Sequence, residues 1–252
     1  MTLEGRLALI TGGGRGIGRA TSLALAEDGA DIAIHYNSDA DSANETAEAV
    51  SKLGRRAAIF QASLENLEDL AGMVESIQNQ LGHPSILVNN AGIASKGKTV
   101  AKTEATEVDR LMRVHAFAPH ELCRLVLHGM REQERGDIIM ISSAATKYNA
   151  AGGAPYNMAK AAMESLARTL AAEERRNGIR VNIVAPGLVE TEMGRRLVKA
   201  TSGVDDLRQI DAQMPFGRVC QPEDIAGAIR HLVSNRSGYV TGERLGIDGG
   251  GQ

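Results

Sequence analysis

Residues 7–20, LALITGGGRGIGRA, constrain the fold more than any other stretch of this chain. An apolar run leads into a glycine-rich turn, and the turn leads into residues that favour helix. Gly12, Gly16 and Gly18 let the backbone turn sharply and approach a pyrophosphate closely. The helix that starts there presents unpaired N–H groups and the positive end of its dipole to an anion. The spacing Gly12-x-x-x-Gly16-x-Gly18, with Arg15 and Ile17 inside it, differs from the common G-x-G-x-x-G turn. Its position directly after a buried strand is what gives it weight.

The remainder repeats the strand-then-helix pattern. Short runs rich in Ile and Val stand at 7–11, 32–35, 57–60, 86–90, 137–142, 180–186 and 244–250. Several lack polar alternation, which suits strands buried on both faces. Amphipathic segments at 19–28, 39–53, 66–81 and 156–176 separate some of them. Gly29 and the pair Asn177-Gly178 read as helix stops. Such alternation predicts an α/β fold with a parallel sheet. No Pro- or Ser-rich linker divides the 252 residues, so one domain spanning 1–252 is expected. One region breaks the rhythm: the polar stretch 194–215 is irregular and reads as a mobile lid over a ligand, with a plain surface excursion as the other reading.

Composition narrows the function classes. A net charge of −3 gives no footprint for nucleic acid, and 3% aromatics with no Trp leave little to stack on bases. Two cysteines, Cys123 and Cys220, make neither a disulfide framework nor a CxxC pair, so reduced thiols in a cytoplasmic protein are expected. The N-terminal apolar run is too short for a signal-peptide core or a membrane span.

Dinucleotide-binding units that select NAD place an acid about twenty residues beyond the glycine turn, at the end of the second strand. Here that place reads HYNSD, with Tyr36 where the acid would stand and Asn37 and Ser38 after it. With no carboxylate to repel a 2′-phosphate, and Arg15 to supply a cation, NADP(H) is favoured over NAD(H). The opposite reading has Arg15 in solvent and Asp39 or Asp41 binding the NAD ribose.

Further on, Tyr156 and Lys160 lie four apart in GGAPYNMAK and share one helical face. Pro155 fits a helix start. A tyrosine titrates near 10, and lowering it by about three units takes roughly 4 kcal/mol of differential stabilisation. A nearby ammonium and a positively charged nicotinamide ring would supply that. Protonation of a carbonyl oxygen during reduction is the reaction such a pair suits. Ser142 or Ser143, at the end of the fifth strand, would hold the same oxygen.

Taken in order, Thr11-Gly-Gly-Gly-Arg-Gly-Ile-Gly18, Asn89-Asn-Ala-Gly92, the strand-five serine, Tyr156-Asn-Met-Ala-Lys160, Pro186-Gly187 and the terminal IDGG at 247–250 resemble the short-chain dehydrogenase/reductase family over essentially the whole chain. The resemblance implies a Rossmann-type doubly wound fold, a seven-stranded parallel sheet with helices on both faces. It implies Ser143, thirteen residues before Tyr156, as the catalytic serine, Tyr156 as general acid/base, and Lys160 as the group that holds the nicotinamide ribose and lowers the tyrosine pKa. Gly12, Arg15, Gly16, Ile17, Gly18, Asn37, Ser38, Asn90, Ala91 and Gly92 would meet the cofactor, as would Pro186, Gly187, Val189 and Thr191. Ser63 and Leu64 stand where the family usually has an Asp contacting adenine. No metal is required. The family also implies a homotetramer that pairs through long helices such as 106–131 and 156–176.

Among family members the chain looks most like β-ketoacyl-[acyl carrier protein] reductases and general ketoreductases. Arg131 and Arg135 could greet an acidic carrier protein. The walls at 94–100, 145–153 and 188–215 show neither an aromatic cage nor an obvious charge anchor, so the expectation is NADPH-dependent reduction of a ketone, a 3-oxoacyl thioester among the options. Alternatives are an NAD-linked dehydrogenase of a small cyclic, sugar or steroid-type alcohol, and a catalytically silent NADP-binding sensor. A nucleotide-sugar epimerase would need a longer C-terminal part.

The stretch 113–123, RVHAFAPHELC, departs from the family. His115 occupies the place of an asparagine that completes the family's catalytic set. Pro119 has no N–H, so in a regular helix the 115 carbonyl loses its partner and is free for a water relay. The expectation is that His115 keeps the position through its backbone, with the imidazole as an additional proton group; the alternative is a packed histidine that simply tolerates the site. His120 is read as an ordinary helix or interface residue and Cys123 as a small packed thiol.

Overall fold

The computed structural model describes residues 2–250. The seven apolar runs are β1 (Leu7–Ile10), β2 (Asp31–Tyr36), β3 (Ala57–Gln61), β4 (Ile86–Asn89), β5 (Gly136–Ile141), β6 (Ile179–Pro186) and β7 (Arg244–Ile247). They form one parallel sheet in the order β3-β2-β1-β4-β5-β6-β7. Leu9 sits between Ala33 and Leu87, at the centre of that register.

Side chains alternate across the sheet and feed two separate cores. Leu7, Leu9, Leu87, Ile138 and Met140 point to one face. There they meet α3 (Glu68–Gln80), α5 (Ala118–Arg131) and α7 (Ala154–Glu174). Ala8, Ile10, Ile86, Val88 and Ile139 point to the other. They pack against α1 (Gly16–Glu27), α2 (Ala40–Lys52) and α9 (Pro222–Leu232). Strand order reverses between β1 and β4, which opens a crevice at their C-terminal ends, where α/β sheets bind ligands.

At the opposite end of the strands, Asp137 is buried among three arginines. Arg180 lies 2.5 Å from it, Arg6 2.7 Å and Arg135 2.9 Å. The surplus positive charge is met by main-chain carbonyls at the end of α9: Leu232 accepts from Arg180 at 2.6 Å and Val233 from Arg135 at 2.6 Å. These are the oxygens that carry the negative end of a helix dipole.

Two expectations change. The helix expected over 106–131 is interrupted: α4 (Ala105–Met112) passes into a π-helical turn over Arg113–Phe117 before α5 resumes. Pro119 falls in the first turn of α5. An α-register would aim the 115 carbonyl at a residue without an N–H, and the wider turn is the local answer. The stretch 194–215 is also not irregular, because most of its first half is α8 (Glu192–Ser202). Thr191 caps that helix by accepting from the Gly194 N–H at 3.1 Å, and Gly203, at φ +68°, ends it. Val198, Leu207 and Val219 tie the segment down through a small apolar cluster of their own. Among the described residues, no helix is long and apolar enough to cross a membrane.

Candidate active site

The nucleotide end is built around close approach. A side chain at Gly18 would place its Cβ 2.0 Å from the Gly12 carbonyl oxygen, so only glycine lets α1 pack this tightly on the turn. Gly12 and Gly16 have φ values of +62° and +51°, a region that favours glycine. Asn90 fastens the turn from β4: its side chain donates to the Thr11 carbonyl at 2.8 Å, and its N–H donates to the Thr11 hydroxyl at 2.9 Å. The Ala91 N–H donates to the same hydroxyl at 3.0 Å.

Whether these residues fit a dinucleotide is tested at the start of α1. Its N-cap, Arg15, makes no side-chain cap, and the first turn carries no acid. Those N–H groups are therefore open to a phosphate, as the glycine turn requires. Ile17 follows, half-buried against the second core. The fit extends to the far side, where Gly16 abuts Thr191. Val189 is buried and bridges Cys220. Gly187 donates its N–H to the Ile247 carbonyl at 2.9 Å, which fixes the turn after Pro186.

The adenosine side is less uniform. Asn37 and Ser38 are exposed beyond β2, as expected. Ser63 is half-buried at the lip of β3, but Leu64 is buried in the core, so only its backbone is left for adenine. Arg15 is exposed and bridges two carboxylates, Glu192 at 2.7 Å and Asp39 at 3.5 Å.

The chemistry end lies where β5 and α7 meet. Lys160 is buried, and its Nζ donates to the Ile141 carbonyl at 2.6 Å. Burial pulls its ammonium down to about 7, against the opposing pull of Glu164. Nζ stands 5.8 Å from the Tyr156 ring centre. Burial pushes the Tyr156 phenol up, and the adjacent Ser143 side chain opposes this. Ser143 Oγ also accepts from the Ala145 N–H at 3.1 Å, which orients it at the start of α6 (Ala145–Tyr148). Ser142 turns away and donates to Glu164 at 2.7 Å, which leaves Ser143 as the serine beside Tyr156.

His115 is fully buried in the π turn and reaches the same place. Its ring stands edge-on to Tyr156, with centres 5.2 Å apart. It also lies over Gly92, where a Cβ would fall 2.6 Å from the imidazole carbon Cε1. Nε2 sits 2.9 Å from the Ile93 carbonyl oxygen and 3.3 Å from the Ile93 nitrogen, while Nδ1 has no partner. Burial, helped by the Lys160 charge, holds the imidazole well below its usual value. That shift favours the neutral imidazole.

The other members of the 113–123 stretch separate: His120 is exposed, and Cys123 packs beside Asn89 with its thiol pushed up to about 12 by burial. Arg131 and Arg135 do not form a free basic patch. Arg131 is paired with Glu174, and Arg135 turns inward to Asp137.

Sequence reasoning missed the support behind Ser143. Glu164, one turn beyond Lys160, also accepts from Thr146 at 2.8 Å and Arg244 at 2.9 Å. Arg244 in turn donates to the Ser143 carbonyl at 3.0 Å. The i+4 step from Lys160 was a usable signal for Glu164, whereas nothing near Ser143 in sequence announces Arg244.

A family model described as enoyl-(acyl carrier protein) reductase matches residues 12–252. Acetoacetyl-CoA reductase of Allochromatium vinosum is 37% identical over 247 residues, 97% of this chain and 98% of that protein. The 3-oxoacyl-[acyl-carrier-protein] reductase FabG of Pseudomonas aeruginosa is 35% identical over 99% of this chain and 98% of its own length. Among solved structures, the angucycline C-6 ketoreductase LanV with bound NADP superposes with a TM-score of 0.88 at 32% identity, covering 98% of this chain and 96% of that one. With the glycine turn, the serine, the tyrosine and the lysine in matching order on a matching sheet, the chain belongs to the short-chain dehydrogenase/reductase family of oxidoreductases.

Proposed function

We propose that the protein reduces a ketone to a secondary alcohol with NADPH, Tyr156 giving its proton to the carbonyl oxygen. The observation that carries this reading is the convergence of Tyr156, Ser143 and a buried Lys160 at the end of β5, with an uncapped helix start two strands away after β1. When bound, NADPH supplies the hydride. Ser143 donates a hydrogen bond to the carbonyl oxygen and holds it in place. Lys160, charged below about pH 7, favours the ionised phenol and so makes Tyr156 a stronger acid. His115 is a positioning residue: its neutral ring fixes the Ile93 backbone and one edge of Tyr156.

Gly12, Gly16, Gly18 and the first N–H groups of α1 would hold the pyrophosphate. Asn90, Ala91, Gly92, Pro186, Gly187, Val189 and Thr191 would line the nicotinamide end. The preference for NADP(H) rests on Arg15 and on the lack of a carboxylate at the end of β2; the 2′-phosphate would replace Glu192 and Asp39 as the partner of Arg15. LanV, similar over nearly its whole length, binds NADP.

The relatives' names point to 3-oxoacyl thioesters, and exposed Val100, Tyr148, Met193 and Leu197 offer an apolar surface on the expected wall segments. Because Arg131 and Arg135 are already paired, a small ketone or a coenzyme A thioester fits better than a carrier-protein complex. The segment 194–215, led by α8, would close over the substrate. Exposed Phe117 and Met158, on helices of the same face, favour the homotetramer, which sedimentation would show as four times the chain mass. The two free thiols suit the cytoplasm.

Loss of NADPH absorbance with acetoacetyl-CoA, an acetoacetyl carrier protein and cyclic ketones tests the reading. We expect turnover with NADPH, and Tyr156→Phe should lower kcat by about 10²–10⁴-fold while nucleotide binding is kept. Faster turnover with NADH would overturn the cofactor preference. Tight NADPH binding without any turnover would favour the sensor.

A further inference from the structure

His35 is a buried polar residue in a strand that is otherwise apolar at its centre, and nothing in the chemistry above uses it. It is the fifth residue of β2, three strands away from β5 and the Ser143–Tyr156 site. Its ring joins two loops. Nδ1 accepts from the Gly12 N–H at 3.1 Å, and Nε2 lies 3.0 Å from the Ala62 carbonyl oxygen. The backbone adds a third tie, because the His35 carbonyl accepts from the Gly13 N–H at 3.1 Å.

A carbonyl oxygen can only accept, so Nε2 must carry the proton and donate to Ala62. The Gly12 N–H can only donate, so Nδ1 must be bare. One neutral tautomer satisfies both, and the protonated ring satisfies only one. Burial, with the Ala62 bond opposing it, pulls this imidazole down to about 4, which keeps it in that form at ordinary pH.

Both loops lie on the β1 side of the crevice, the half the dinucleotide reading gives to the phosphates and adenine. Gly12 opens the phosphate turn at φ +62°, and Ala62 immediately precedes Ser63 and Leu64 at the adenine edge. We infer that His35 is a positioning residue for the dinucleotide, holding the Gly12 N–H, and with it the phosphate turn, in binding-ready shape against the end of β3. The inference rests on the dinucleotide reading of the crevice. It assigns His35 no contact with the reacting atoms, so its loss should appear in nucleotide affinity rather than in the chemical step.

Amide side chains separate the two bonds. Asn at this position places its oxygen near the site of Nδ1 and can still accept from Gly12. Gln reaches the site of Nε2 and can still donate to Ala62 while leaving Gly12 unpaired. Leu keeps volume and loses both. Equilibrium binding of NADPH and NADH would be followed by nucleotide fluorescence for wild type, His35→Asn, His35→Gln and His35→Leu. Melting of each nucleotide-free protein, and kcat at saturating NADPH, would be recorded alongside.

We expect His35→Asn to bind NADPH within about threefold of wild type. His35→Gln and His35→Leu should bind at least tenfold more weakly, with kcat within twofold throughout. Melting temperatures should fall for Asn and Gln alike, since each loses one bond, so affinity and stability part company. Equal weakening in Asn and Gln, tracking the loss of stability, would overturn the inference in favour of a purely structural histidine. So would wild-type affinity in His35→Leu. Should wild type bind neither nucleotide, the dinucleotide reading itself is what fails.

Discussion

At the residue scale, the lysine sets the pH behaviour. Burial disfavours the Lys160 ammonium and pulls its pKa down to about 7. Its positive charge is therefore present below that pH and lost above it, and with it goes the aid to Tyr156. kcat/KM for ketone reduction should accordingly fall as pH rises through about 7, and Lys160→Arg should move that limb upward by several units, because a guanidinium stays charged. A flat profile from pH 6 to 9 in the wild type would contradict the assignment. Ser143, Tyr156 and Lys160 were readable because their chemistry is local in sequence or fixed in spacing. Glu164 with Arg244, and His35 with Gly12, were not, because each pair joins elements that only the sheet order brings together.

At the element scale, strands were easier to read than helices. Every apolar run became a strand, since unbroken Ile and Val runs have few other stable environments. The helix over 106–131 was misread as continuous because a π turn needs no special composition, only one misplaced donor. Pro119 was the visible sign of it. The same proline yields a test. His115→Asn should retain at least a third of wild-type kcat/KM with an unshifted pH profile, because the imidazole is neutral and its work is positional. Pro119→Ala restores an N–H four residues after His115 and should relax the π turn toward α-helix, lowering kcat about tenfold or more. If initial rates for Pro119→Ala match wild type from pH 6 to 9, the wider turn has no role in the chemistry. The stretch 194–215 was misread in the other direction: its polarity suggested a loop, but Thr191 and Gly203 cap a real helix at both ends.

At the scale of the whole molecule, the two ends of the sheet do different work. Chemistry gathers at the C-terminal ends of the strands, where their order reverses. Cohesion gathers at the other end, where Asp137 holds arginines from the β1 entrance, the β5 entrance and β6. Asp137→Asn leaves three cations, Arg180 buried and Arg6 and Arg135 partly so, facing helix carbonyls and one neutral amide. It should cost about 3–5 kcal/mol, read as a lower urea midpoint, with kcat per folded molecule unchanged. A loss of kcat without loss of stability would mean that the two ends are coupled after all.

One nitrogen facing two backbone groups has its own consequence. His115 Nε2 can donate to the Ile93 carbonyl or accept from the Ile93 N–H, but it cannot do both at once. The shorter contact favours donation, which leaves the Ile93 amide proton without a bond from this ring. A glutamine, whose amide reaches the site of Nε2, could serve both groups together through its two amide atoms. Amide hydrogen exchange at Ile93 should therefore be fast for a partly buried position, and His115→Gln should slow it by an order of magnitude or more.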